Sequence, residues 1–223
     1  MFEQVISKNY EAVSLLQKGR LEESLQLFKS VLKEVQTGPC QGTPVQQGER
    51  GDVSSISLGD IRHNIQFFKM TPTFRVFDRA FVFETTETLQ NTDENASLCA
   101  AVGLYNLALN MHLKALSYRG GIIYLKRAHN LYQKVFSILR AYPLTRTDSR
   151  STLLLATILN LIACETEICG YTSTEKWQHV YMEVFAWATA DASFNISCQE
   201  EMDILTSGAV LFTCQNFCTA AAA

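Results

Sequence analysis

The chain has 223 residues, of which 47% are hydrophobic and 18% charged, with only 4 prolines. The charged fraction lies below the usual quarter, which argues for a well-buried helical domain and against a disordered chain. A net charge of -3 and a pI near 5.8 argue against nucleic-acid binding through a general basic field. The 7 cysteines are odd in number and irregularly spaced, so they read as reduced, mostly buried thiols and not as a disulfide framework. Met1 to Lys8 includes Glu3 and Lys8 and lacks the apolar core of a secretory signal, so the default expectation is a cytoplasmic or nuclear protein. The longest apolar run, Leu153 to Ala163, is interrupted by Thr157 and Asn160 and is shorter than the ~20 residues of a membrane span. Two glycosylation-type triplets, Asn95-Ala96-Ser97 and Asn195-Ile196-Ser197, read as chance or as helix caps.

In chain order, a first helix is predicted over 2–17, with Val5, Ile6, Ala12, Val13, Leu15 and Leu16 apolar. Lys18-Gly19-Arg20 turns the chain into a second helix over 21–36, where Leu25, Phe28, Val31 and Leu32 belong to a broad stripe. Glu22 and Glu23 favour its start, and Gly38-Pro39 stops it. Residues 37–60, rich in Gly, Gln and Ser, read as a long polar loop insertion. Residues 61–85 are aromatic and β-branched, and a strand is predicted over Phe74 to Glu84, as part of a short hairpin or as one extended segment packed on helices. Further helices are predicted over 96–117, 122–141, 150–169 and 174–190. Asp148 or Ser149 and Ser173 or Thr174 are placed to cap the last two. Residues 191–223 form a closing segment, with Met202 to Phe212 either helical or extended. The fold class expected is mainly α: three antiparallel helical hairpins and a short extended element in one domain.

Ala12, Leu15, Gly19, Leu21, Ser24, Phe28 and Val31 follow the small, large and aromatic spacing of a helical-hairpin repeat, a unit that needs neighbours to bury its apolar face. Ala128, Tyr132 and Val135 repeat the spacing of Ser24, Phe28 and Val31. The first hairpin resembles a tetratricopeptide repeat. A second resembles another, with Leu104, Leu107, Ala108 and Met111 matching its first helix, though its two helices are spaced about two turns too widely for the 34-residue unit. A third, with Leu161 and Trp177 to Ala188, is degenerate. By the order of its segments the whole chain resembles a group of uncharacterised tetratricopeptide-like proteins expanded in diatoms. The departures from the repeat favour a compact three-hairpin bundle over a regular solenoid.

In this repeat class the first helix of each hairpin lines a concave face. The resemblance therefore implies a partner-binding set of Asn9, Val13, Gln17, Asn106, Leu109, Asn110 and Asn160. Asn106 and Asn160 occupy matching places, and an amide there either bonds the backbone of an extended peptide or satisfies neighbouring backbone inside the bundle. A carboxylate-clamp activity is not implied, because Val13 and Asn160 stand where clamp residues are expected. Reading for chemistry yields no catalytic constellation. His63, His112, His129 and His179 are isolated, and His112 with His129 reads as two partly exposed helix histidines before it reads as a metal pair. Cys164 with Cys169, and Cys214 with Cys218, lack CxxC spacing and a completing histidine. Gly120-Gly121 reads as a turn, not an anion loop. The expectation is a non-enzymatic interaction module holding a protein or peptide on a helical face, with no cofactor, metal, nucleic acid or membrane span. The alternative is a small-molecule- or metal-binding regulatory helical domain.

Overall fold

The computed structural model describes residues 2–37, 52–59, 76–84, 92–117, 121–142, 149–170, 173–190 and 199–221, the last stretch with side chains to residue 213. Seven helices and two strands make up these residues. They are α1 (Phe2–Gln17), α2 (Leu21–Thr37), β1 (Val53–Ser57), β2 (Arg79–Phe83), α3 (Asp93–Ser117), α4 (Ile122–Arg140), α5 (Arg150–Cys169), α6 (Glu175–Thr189) and α7 (Gln199–Ala221). The fold is mainly α, with one two-stranded antiparallel sheet.

The helices pack as consecutive pairs, α1 on α2, α3 on α4 and α5 on α6, and each pair also packs on the next through α2–α3 and α4–α5. Gly19, at φ 73°, makes the first turn possible, because a side chain there would force a residue into the left-handed region. Ser24 is buried and donates from Oγ to the Ala12 carbonyl at 2.8 Å, locking the crossing where both helices carry a small residue. Phe28 and Tyr132, matched in the sequence pattern, are both fully buried. The pattern works because a 3.6-residue period places one apolar stripe against the neighbouring helix. α7 closes the far end against α5 and α6. Gly208 lets it approach, since a Cβ there would lie 3.0 Å from Leu159 and 3.2 Å from the Tyr181 hydroxyl. That hydroxyl donates to the Leu205 carbonyl at 2.7 Å, and Phe212 meets the Tyr181 ring edge-on.

α3 and α5 are each long and apolar enough to cross a membrane, and 78% and 72% of their apolar windows are buried inside the bundle. The tail reading resolves in favour of a helix, α7. The polar stretch 37–60 differs from expectation, because it contains β1, which pairs with β2 in the register Val53↔Phe83 to Ser57↔Arg79. β2 is therefore a true strand whose partner precedes the 61–85 segment. The expected cap residue Asp148 and residues 60–75 lie outside the described set. Ser149 and Thr174 do precede helices without capping them through a side chain.

Candidate functional site

The sheet lies against α1 and α3, and all five residues of β2 are buried. The Glu84 N–H bonds the Asp52 carbonyl at 3.1 Å, which fixes the alternation of the ladder. Odd-numbered residues of β2 therefore turn their backbone groups away from β1. Those groups meet asparagines. Phe81 N–H donates to Asn106 Oδ1 at 2.9 Å, and Asn106 Nδ2 returns a bond to the Phe81 carbonyl at 2.7 Å. Phe77 makes the same exchange with Asn160, at 2.8 Å and 3.1 Å. Each amide thus imitates one residue of a neighbouring strand, and the two grips fall four residues apart along the extended segment. Asn9 Nδ2 adds a second donor to the Phe81 carbonyl at 3.1 Å, while its Oδ1 accepts from Asn106 at 3.0 Å.

The grips are braced by aromatic rings. Phe77, Phe81, Tyr105 and Tyr132 form a contiguous row with centroid spacings of 6.1, 5.0 and 5.6 Å. Asn160 Nδ2 also donates to the Tyr105 and Tyr132 hydroxyls, each at 3.1 Å, and Tyr105 donates onward to the Phe77 carbonyl at 3.3 Å. Burial raises both phenols well above their ordinary range, so they serve as neutral hydrogen-bonding groups. The outer edge of β1 is closed in the same manner. Val53 N–H bonds Ser149 Oγ, and the Ser57 carbonyl accepts from Gln17 Nε2 at 2.9 Å. Arg79 bonds both the Ser55 hydroxyl and its carbonyl, and pairs with Glu200 at 3.0 Å. A short sheet would otherwise present two unpaired edges.

All seven residues of the implied binding set are thereby placed. Asn9 and Asn106 come together on β2, Asn160 holds Phe77 just before it, and Gln17 reaches β1. Asn110 donates to the Leu21 carbonyl at 3.0 Å, tying α3 to the start of α2, while its Oδ1 has no hydrogen-bond partner among the described residues. Val13 and Leu109 are buried core residues. The amides grip extended backbone, and the backbone is the chain's own. Arg79, Tyr105 and Tyr132 complete the arrangement, and the sequence marks none of them as a partner of the extended segment. Arg79 sits in the aromatic run read only as a strand, and Tyr132 carried a repeat-spacing signal that was read as packing.

The remaining reactive groups are held apart. His112 is fully buried, contrary to the expectation of partial exposure, and its Nδ1 lies 3.6 Å from Cys164 Sγ. Burial lowers the His112 pKa to about 4 and raises the Cys164 thiol, so the pair is a neutral imidazole beside a neutral thiol. His129 faces a different residue, Glu165, at 3.6 Å. Among the described residues no three His, Cys, Asp or Glu side chains gather as a metal site. Cys99, Cys164 and Cys169 are free thiols, and burial pushes Cys99 up to about 12. Compared with family models, curated proteins and solved structures, the chain matches none.

Proposed function

We propose that this protein is a non-enzymatic interaction module, built on tetratricopeptide-like hairpins, that holds a protein or peptide partner on a helical face. The observation that carries the reading is the paired amide grip of Asn106 and Asn160 on Phe81 and Phe77. It is a device for holding extended polypeptide by its main chain. In this chain the device is filled from within, which leaves the outer helical faces for a partner. The cysteine that touches a histidine supports the same reading, because both groups are buried and neutral and neither activates the other.

Proximity labelling and affinity capture with the full chain in its native cell test the proposal. The expected result is a protein recovered in stoichiometric amount. The reading is abandoned if no protein is enriched while the purified chain carries a stoichiometric metal or small molecule, which would favour a regulatory ligand-binding domain instead.

A further inference from the structure

Charge is distributed unevenly over the helices. α1, α2, α3, α5 and α6 each carry one more acidic than basic residue, and α7 carries three acids and no base. α4 reverses the sign, with Lys126, Arg127, Lys134 and Arg140 and no acid. All four are exposed. None of the four has a carboxylate partner among the described residues, whereas Lys8, Arg79, Lys114 and Arg150 are each paired with one. Arg127 and Lys134 stand two turns apart on one row, with Lys126 and Arg140 to one side of it, and all four lie on the outward side of the helix, within a stretch of roughly 26 Å from residue 123 to residue 140. At one end of this ridge Ile122 and Ile123 are 44% and 60% exposed. The inward side, with Leu125, Ala128, Tyr132, Val135 and Leu139, is buried in the bundle.

We propose that the outer face of α4 docks an acidic segment of a partner protein, with the isoleucine pair seating an apolar residue at one end of that segment. The inference rests on the interaction-module reading and names its surface and the chemistry of its partner. Charge complementarity is the argument: cations without a carboxylate partner, on the one positive helix among the described residues of a net-negative chain, attract and orient an acidic ligand. The flanks narrow the choice. α6 meets α4 through the Trp177–Phe136 ring contact at 5.1 Å, and Glu175 and Glu183 on α6 and Glu167 on α5 are exposed. A slender acidic segment confined to α4 needs no contact with these carboxylates, whereas a broad anionic bilayer spread over the neighbouring helices would meet them. Apart from Ile122 and Ile123 at its start, α4 exposes no large apolar residue to insert into lipid.

The test uses the full chain and a fluorescein-labelled acidic peptide of about 17 residues, long enough as a helix to follow the ridge, with a leucine pair at one end. Binding is read by anisotropy, in parallel with a glutamine-substituted peptide, a polyuridine RNA and phosphatidylserine vesicles. The expected result is salt-sensitive binding of the acidic peptide alone, weakened by about tenfold or more in Lys126→Glu/Arg127→Glu/Lys134→Glu. Lys18→Glu/Lys29→Glu/Lys33→Glu, with the same charge change on exposed residues elsewhere, should leave it unaltered. Equal loss in both triple variants, no binding of the acidic peptide, or tighter binding of RNA or vesicles overturns the proposal. A native partner captured equally by wild type and by the α4 variant also overturns it, while leaving the interaction-module reading in place.

Discussion

The inner and outer faces of the helical layer use polar residues in opposite ways. On the inner face Asn9, Asn106 and Asn160 are buried, and each spends its amide on main-chain or side-chain partners. The outer face of α4 carries four full charges, exposed and unpaired by any carboxylate among the described residues. Burial explains the contrast. An amide can satisfy a strand edge at low desolvation cost, whereas a lysine in the same place would have to shed its water. The inner face therefore contributes stability and leaves little surface for a partner, and the outer face contributes little stability and remains open.

Substitutions on the two faces should separate accordingly. Asn106→Ala strands the Phe81 N–H and the Asn9 Oδ1, and Asn160→Ala strands the Phe77 N–H. Each is expected to cost about 3–5 kcal/mol in urea or thermal unfolding. Losses below about 1 kcal/mol would break the description of the inner face. Acid should act next through His112. Its pKa falls from 6.5 when free to about 4 when buried. Between those values the unfolded chain binds a proton that the folded chain refuses, so stability falls as pH drops through that window. The loss from this group reaches about 3 kcal/mol, and His112→Gln should flatten the slope of stability against pH. Asn9→Ala leaves the Phe81 carbonyl bonded to Asn106 and is expected to cost about 1–2 kcal/mol, with non-additive coupling in the Asn9→Ala/Asn106→Ala cycle. Last, Lys126→Glu/Arg127→Glu/Lys134→Glu should leave the unfolding midpoint unchanged within error, because those side chains support nothing in the bundle. A large shift would show that the outer face is structural after all.

Much of the fold was legible because helices announce themselves by period. Leu25, Phe28, Val31 and Leu32 mark α2, and Ala128, Tyr132 and Val135 mark α4, with boundaries within a residue or two of those observed. β1 was not legible. Val53 and Ile56 are its large apolar residues among three serines, so the segment is a strand because β2 pairs with it, not because of its own pattern. α7 was ambiguous for a related reason: Gly208 and its β-branched neighbours lower helix propensity, and docking on Leu159 and Tyr181 overrides that. The importance of Asn106 and Asn160 could be read from their matching positions. What they hold could not, since a foreign peptide and an internal strand present the same carbonyl and N–H groups. The burial of His112 was missed because one histidine in an apolar helix carries no sign of which side it occupies.

One consequence of the amide grips concerns selectivity. Asn106 and Asn160 address main-chain atoms, so the hydrogen bonds themselves do not distinguish one amino acid from another, apart from refusing proline at positions 77 and 81. Left empty, such a cleft would be promiscuous. A covalently attached occupant competes at an effective concentration on the order of millimolar, above that of nearly any single free peptide in a cell. The tethered segment thereby occupies the main-chain positions that any free extended peptide would need.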